Sequence, residues 1–327
     1  MNEADKKKLL LSIKNSFHEL GFSEVQISKL IKSRTKAGEI RMPFLRVNIK
    51  ERFSLFENIF SKYMVDKRHM YDALSDGLLF SYLPSTLDDL LSFVQKNGFS
   101  AASFLEMLAT TSHGRAVLGW GPKKIKENIF KTSECLKKYN LTIQNWLDMS
   151  LKCSNILKMN SESVFEKVER WISFGERFGF NQDNMIKVIQ KTPDLLLKNI
   201  ETIERKCEIM GDFVSSYGVD KKEWINSCMK HPKVLCKDTN TLIHNISLYQ
   251  YCFQQGVFRF SNKPDADSKH LMRYLMTSPQ YFCIAPSSAK KRMEYAEILY
   301  KRGFQPTSAV LYITKAQMEK NLKDLQD

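Results

Sequence analysis

The chain has 327 residues, of which 43% are hydrophobic and 26% are charged, and this balance is that of a globular protein with an extended core. No apolar run reaches the roughly 18 residues that cross a membrane, which argues against a membrane-spanning protein or a membrane partner. Fifty basic residues against 36 acidic ones give a formal net charge of +14. The surface therefore attracts polyanions, although a lysine-rich solvated surface gives the same excess.

The cysteine pattern indicates a reducing compartment. The seven cysteines form an odd set without a C-x-x-C pair, and several fall on apolar helix positions, so we expect reduced core thiols. The first residues, MNEADKKKLLL, resemble neither a signal peptide nor an Arg-rich transit peptide, which predicts an intracellular, cytoplasmic protein. The cysteine and histidine spacings offer no closed metal site, so we expect no metal and no other cofactor.

The first predicted element is an amphipathic helix over residues 1–20, which we expect to cap the start of the molecule. A joint follows at Gly21, where a glycine stop precedes an apolar residue and the N-cap Ser23, and Gln26 completes a capping box. The next stretch is irregular, and we place its apolar plug near Ile40.

One complete structural unit lies between Gly179 and Tyr217. Its first helix begins after Asn181 and ends near Lys191, because Pro193 lacks an amide and pushes its neighbour out of the α region. A short apolar plug follows. A second helix with one apolar face then completes the unit.

This unit recurs along the chain with a period of 39 residues. The recurring apolar pairs of the plug are Leu78–Leu79, Val117–Leu118, Ile156–Leu157, Leu195–Leu196 and Val234–Leu235. The apolar faces of both helices keep the same period. A period between about 20 and 50 residues indicates a solenoid in which each unit buries its apolar face on its neighbours. The sequence therefore predicts an all-α solenoid of about seven repeats.

The period is interrupted once, after Gly256, by about eight extra residues in FRFSNKPDADSK, which we interpret as a loop insertion. The pattern then resumes and ends in a polar segment. We expect residues 21–302 to form a single continuous repeat array and residues 303–327 to form a C-terminal capping half-repeat.

Catalytic motifs are missing from the sequence. It contains no G-x-G-x-x-G, no Walker-type glycine loop and no H-E-x-x-H, and its six histidines are scattered rather than paired at ligand spacing. The neighbouring carboxylates of Asp88 and Asp89 point in different directions on a helix and are poor partners for acid–base chemistry. We therefore expect a protein that is not an enzyme.

Recurring cationic residues are the candidate binding residues. Lys152, Lys191 and Lys230 occupy the same place in three consecutive repeats, two residues before the proline position, and His113 precedes them by the same step. The further candidates are Arg115, Lys167, Lys198, Lys206 and Lys237, and a local cluster consists of Lys123, Lys124, Lys126 and Lys131. Such a stripe can follow a phosphate backbone. Alternatively, lysines in a last helical turn only complement the helix dipole.

The segments KTPDLL, KHPKVL and TSPQYF, together with the G-F-[SN] joints, resemble the mitochondrial transcription termination factor family over about Gly21 to Leu322. The resemblance carries over the proline-motif positions Pro193, Pro232 and Pro279. It implies a left-handed superhelix whose units each contain two α-helices and a short 3-10 segment. In earlier units the proline position holds Asp76, Arg115 and Ser154, which departs from the motif.

The resemblance also implies a function. Family members bind duplex DNA or structured RNA in a basic concave groove and regulate transcription or ribosome assembly in organelles, so an organellar or nuclear location is implied as well. We therefore expect a monomeric, non-catalytic protein that binds duplex DNA or structured RNA and regulates transcription. The alternative is a helical-repeat scaffold, or a secreted effector, whose basic face engages an acidic protein partner.

Overall fold

α-Helices form most of the chain. The computed structural model describes residues 3–32, 35–36, 39–40, 48–75, 79–261, 263 and 265–324. Packing divides the chain into two units, Met1–Glu169 and Arg170–Asp327, and each is described by itself. The expectation of one continuous array over residues 21–302 stays a prediction.

The first unit contains nine helices and the start of a tenth within its described residues. These are α1 (Glu3–Glu19), α2 (Glu24–Lys32), α3 (Ile49–Lys62), α4 (Lys67–Ser75), α5 (Pro84–Lys96), α6 (Ala101–Thr110), α7 (Ser112–Leu118), α8 (Pro122–Leu136), α9 (Ile143–Lys152) and the start of α10 (Ser161–Glu176). Two short antiparallel strands, β1 (Thr35–Lys36) and β2 (Glu39–Ile40), lie between α2 and α3. The plug expected near Ile40 is therefore a strand at the backbone level, and the side chain of Ile40 lies outside the described residues.

The second unit continues the same alternation of a shorter and a longer helix. Its helices are α11 (Gln182–Lys191), α12 (Ile200–Ser215), α13 (Lys221–Lys230), α14 (Thr239–Gln254), α15 (Ser268–Thr277), α16 (Pro286–Lys301) and α17 (Lys315–Asp324). Counted from α2 to α16, the described chain has seven helix pairs, which confirms the predicted helical repeats. No helix among the described residues is both long enough and apolar enough to cross a membrane.

A 3-10 turn separates the two helices in most repeats. These turns are Leu79–Ser81, Ser154–Lys158, Pro193–Leu197, Pro232–Val234 and Pro279–Tyr281. In the third repeat α7 takes the place of the turn. Arg115 stands there instead of proline, so the backbone keeps the amide that a further helical turn needs. Ser154 also replaces proline, yet the turn forms.

The joints between repeats adopt the left-handed backbone that the sequence indicates. Gly98 has a φ of +78°, and Asn140 takes the place of glycine with a φ of 57°. Met64, which the sequence left as an uncertain boundary, has a φ of 55° with a side chain that is 87% exposed. The side chain can lie in water there, so the only cost of replacing glycine is backbone strain, which is about 1–2 kcal/mol for an L-residue.

Side-chain caps begin the helices as expected, with one exception. Ser23 and Gln26 form the predicted capping box. Asp220 accepts a hydrogen bond from the backbone N–H of Glu223, but the carboxylate of Glu223 does not complete a second box. It binds Arg273 of α15 instead, because a bidentate guanidinium forms stronger hydrogen bonds than one backbone amide.

The core consists of the predicted plug and helix faces. Leu195 and Leu196 are both 0% exposed. On α12 the buried face ends with Val214, which is 0% exposed, rather than with Phe213, which is half-buried. Near the end of α12 the buried face therefore includes Val214 in place of the predicted Phe213.

Four long helices, α3, α8, α12 and α14, each donate a side chain to the end of a neighbouring repeat's turn. On α14 the amide nitrogen of Asn245 donates to the carbonyls of Phe282 and Ile284, both at 2.9 Å. The corresponding donors are Arg52 to Phe80 and Tyr82, Asn128 to Leu157 and Met159, and Lys206 to Leu235 and Lys237. These bonds, called turn caps below, satisfy carbonyls that the short 3-10 turn leaves without helical partners.

The insertion after Gly256 is part of the packed structure. Phe258 is 0% exposed and Phe260 is 4% exposed. Between them, Arg259 accepts a backbone bond from Ser308 and donates one to Pro306. The extra residues are thereby bonded to Pro306 and Ser308, which follow α16.

Candidate nucleic-acid interface

Lys152, Lys191 and Lys230, called the helix-end lysines below, are the last residues of α9, α11 and α13, and all three are exposed. In the second unit the Nζ of Lys191 donates to the backbone carbonyl of Lys230 at 2.7 Å. This ammonium therefore complements the C-terminal end of the neighbouring repeat's helix rather than only its own. A lysine has three N–H donors, so two remain available to a ligand.

A groove of about 480 Å³ lies beside Lys230, between α13 and α15. It is lined by Glu223, Asn226, Ser227, Lys230, His231, Arg273, Met276 and Thr277. Lys230 and His231 come from the end of α13, which the proline turn places at the surface. Arg273 comes from α15. The groove, called the α13–α15 groove below, thus joins basic groups of two consecutive repeats.

The pKa of His231 is lowered from its ordinary value, first by burial and then by the positive charges of Lys191 and Lys230. The carbonyl of Thr277 opposes this effect through a hydrogen bond. Both ammonium groups therefore act on the same ring and disfavour its protonation. An anion bound here would relieve that repulsion.

Arg273 closes one side of the α13–α15 groove. Its Nε and Nη2 donate to the two carboxylate oxygens of Glu223 at 3.0 and 2.7 Å. The hydrogen bond lowers the pKa of Glu223, so its carboxylate stays charged. This pair offsets one cation and leaves Lys230 and His231 as the groups facing an incoming anion.

A second cationic cluster surrounds the thiol of Cys236. Its ammonium groups belong to Lys198, Lys206 and Lys237, and all three oppose the rise that burial causes in the pKa of Cys236. Lys206 is half-buried, and burial lowers its own pKa. Its Nζ donates to the carbonyl of Leu235 at 2.8 Å and to that of Lys237. Lys206 thus has a structural use as a turn cap, whereas Lys198 and Lys237 are exposed.

The remaining candidates are more dispersed. Lys167 is half-buried on α10. His113 and Arg115 belong to α7 at the backbone level, but their side chains lie outside the described residues. Within the described part of the chain, no group of three or more metal-binding side chains is placed to hold an ion.

Sequence reasoning missed His231 and Arg273 as groove residues. His231 directly follows Lys230, so its position next to a recurring lysine was a usable signal. Arg273 is 50 residues from Glu223, across the insertion, and no periodic pattern connects the two. The turn caps were also detectable in principle, because polar donors recur at Asn128, Lys206 and Asn245 in steps of the period.

The fold and these cationic surfaces define a helical-repeat protein with grooves suited to anions. The family model of mTERF matches residues 41–259, more than half of the chain. The chain belongs to the mTERF family, as the proline motifs indicated. The family is known for nucleic-acid binding and transcription termination, is generally non-enzymatic and is often organellar. No curated protein matches the chain.

Proposed function

We propose that this protein binds duplex DNA or structured RNA through the helix-end lysines and the α13–α15 groove, without catalysing a reaction, and that it regulates transcription by doing so. The observation that carries the proposal is the arrangement of Lys191, Lys230 and His231. Two exposed ammonium groups of consecutive repeats lie close enough to the imidazole to lower its pKa. A phosphate in this position gains several charge-assisted hydrogen bonds.

Family membership and net charge support the same proposal. The charge of +14 favours association with any polyanion, whereas the recurrence of lysine at one place in three consecutive repeats favours a polyanion with regularly spaced charges. The exposed Lys198 and Lys237 extend the proposed surface. Lys206 is left out, because its ammonium is engaged with two backbone carbonyls.

The test is a triple variant, Lys152→Gln, Lys191→Gln and Lys230→Gln. If each lysine neutralises one phosphate, the variant should bind duplexes of any sequence more weakly. The slope of log affinity against log salt should become shallower by about 0.9 per lost contact, or roughly two to three in total. Fluorescence anisotropy at several salt concentrations measures both quantities.

A charge-matched control separates this site from general attraction. Lys137→Gln, Lys290→Gln and Lys315→Gln remove three charges that lie in ion pairs with Glu134, Glu294 and Glu319. The control should keep the parental salt slope. If the helix-end triple variant also keeps parental affinity and slope, the proposed role is wrong, and the basic face would be better explained by an acidic protein partner.

A further inference from the structure

Two adjacent grooves in the first unit meet at Trp120. The first has a volume of about 600 Å³ and the second of about 400 Å³, and both are lined by Trp120, Lys124 and Glu127. We call the two together the Trp120 groove. Each volume falls within the range of small-molecule sites, about 300–1,000 Å³.

The first half of the Trp120 groove, called the apolar half below, has apolar walls and a polar rim of Thr86, Lys123, Lys124 and Glu127. Its walls include Tyr82, Leu83 and Pro122, and the side chain of Leu83 is 61% exposed although it is large and apolar. The Tyr82 ring is fixed, because its hydroxyl donates to the carbonyl of Gly119 at 2.8 Å. A Cβ on Gly121 would lie 2.8 Å from that ring, so backbone and ring are in close contact. The walls of this half therefore offer aromatic and aliphatic surface to a flat ring.

Trp120 lies between the two halves and is only partly buried. The Nζ of Lys124 lies 4.7 Å from the centre of its ring, which places a cation next to the aromatic face. The chain has four tryptophans, and the other three, Trp146, Trp171 and Trp224, are at most 1% exposed. Trp120 is therefore the tryptophan that a ligand from solvent can reach.

The second half of the Trp120 groove is cationic. Lys131 of α8 and Lys158 of a 3-10 turn line it together with Asn160, at the start of α10. Neither lysine forms an ion pair with a described residue, in contrast to Lys126, which binds Asp89 at 2.6 Å. The N-terminal end of α10 adds a partial positive charge.

Two carboxylates limit where an anion can bind. Glu127 lies on the wall shared by both halves, and Glu162 lies in the cationic half. Glu127 disfavours a phosphate beside Trp120 and can accept a hydrogen bond from an amino group. In the second half Lys131 and Lys158 offer two ammonium groups to a phosphate, and Glu162 limits the room for it.

We propose that the Trp120 groove binds a nucleotide, with the base stacked on Trp120 in the apolar half and the phosphate held by Lys131 and Lys158. The nucleotide is either free or an unpaired nucleotide of a strand, since a paired base in a duplex does not offer its face. The strand-borne form rests on the function proposed above. The free form does not.

The probes are adenosine 5′-monophosphate, adenosine, an RNA hairpin with one unpaired adenine, and the same hairpin fully paired. Because the other three tryptophans are buried, fluorescence quenching of the full-length protein reports on Trp120. Saturable quenching by the monophosphate indicates a free nucleotide. Quenching by the hairpin with the unpaired adenine, but by neither the monophosphate nor the paired hairpin, indicates a strand-borne nucleotide. If none of these probes quenches, or if only the paired hairpin does, the proposal is wrong.

Lys131→Gln with Lys158→Gln tests the phosphate contact and keeps the reporter. This double variant should weaken binding of the probe that quenches by about tenfold or more, since hydrogen bonds to charged groups are lost. Adenosine binding should change little. The matched control is Lys126→Gln with Lys137→Gln, which removes two ion-paired lysines of the same region and should bind as the parent does. Equal losses in both double variants would contradict the assignment of the phosphate.

Trp120→Leu tests stacking, with binding followed by equilibrium dialysis. We expect a loss of about tenfold, whereas Trp120→Phe should retain more affinity, because a phenyl ring still offers an aromatic face on which the base can stack. Circular dichroism checks that both variants fold. If Trp120→Leu does not fold, the Lys131→Gln, Lys158→Gln double variant tests the proposed nucleotide site instead. The helix-end triple variant should keep the quenching by the monophosphate. If the helix-end triple variant keeps both the parental salt slope and the quenching by the monophosphate, the function proposed above is contradicted but the nucleotide site is not.

Discussion

His231 shows how neighbouring charges set the chemistry of a single residue. Its ring lines the α13–α15 groove together with Glu223 and Arg273, and burial together with the charges of Lys191 and Lys230 lowers its pKa. An unperturbed histidine has a pKa of about 6.5. In the folded protein the ring therefore stays neutral at pH values where the unfolded chain already binds a proton.

This shift predicts a loss of stability in mild acid. Below about pH 6.5 His231 binds a proton in the unfolded chain but stays neutral in the native protein. The free energy of unfolding should therefore fall as the pH drops toward the native pKa of His231. Above pH 6.5 the effect should vanish. Urea unfolding at pH 5, 6 and 7.5 measures it.

Two variants identify the source of that loss. His231→Gln should remove the contribution, and Lys191→Gln should reduce it, because one of the two repelling charges is gone. If both variants keep the parental pH dependence, another group is responsible.

At the scale of elements, the turn caps hold consecutive repeats together. The donor is an arginine, a lysine or an asparagine, but in each case one side chain of a long helix binds two carbonyls at the end of a neighbouring 3-10 turn. The position therefore requires a donor of suitable reach rather than one residue type. Asn245 is the most buried case, at 0% exposure.

Removing this donor predicts a clear cost. Asn245→Leu keeps the approximate volume but leaves the carbonyls of Phe282 and Ile284 without a partner, so the free energy of unfolding should fall by about 1–3 kcal/mol. Asn240→Leu, on an exposed position of the same helix, should stay within about 0.5 kcal/mol of the parent. Chemical denaturation compares the two, and equal effects would mean that the cap contributes little.

Local patterns predicted the elements well, because their causes lie within a few residues. The end of α11 at Lys191 follows from Pro193, and the cap at Asn181 follows from its place before an apolar helix. Met64 differs, since nothing in its side chain favours a left-handed backbone, which here accompanies the bonds from the N–H of Met64 to Ser61 and from the N–H of Val65 to Phe60 at the end of α3. β1 and β2 were likewise not predicted from the irregular stretch before α3.

The candidate site was less predictable than the fold. The period places Lys191 and Lys230 at equivalent positions of consecutive repeats, and the Nζ of Lys191 lies 2.7 Å from the backbone carbonyl of Lys230. It could not show that Lys206 binds backbone carbonyls, since lysine at a recurring position fits a structural cap and a phosphate contact equally well. Contacts such as Arg273 with Glu223 depend on how two distant segments pack, which no short motif encodes.

For the whole molecule, stability should be distributed among neighbouring repeats. Leu196 is 0% exposed, in the turn between α11 and α12. Leu196→Asp places a carboxylate there without a partner and should lower the free energy of unfolding by several kcal/mol. Because each repeat mainly contacts its neighbours, protection from hydrogen exchange should fall most in α11, α12 and α13.

The control for this prediction is Leu197→Asp, because Leu197 is the adjacent exposed residue. That variant should keep the parental melting temperature. If Leu196→Asp melts at the parental temperature too, Leu196 does not belong to the core. If protection is instead lost equally along the whole chain, the repeats unfold as one unit.

The insertion after Gly256 lengthens the chain between two repeats without changing how those repeats are bonded to each other. The two carbonyls capped by Asn128 and by Lys206 lie 29 and 31 residues further along the chain, whereas those capped by Asn245 lie 37 and 39 residues away. The same pair of bonds forms across the longer connection, and Phe258 and Phe260 bury part of the extra sequence. This joint therefore accommodates a longer connection without loss of either adjoining interface, which makes it a place where surface can be added while the repeats on both sides keep their register.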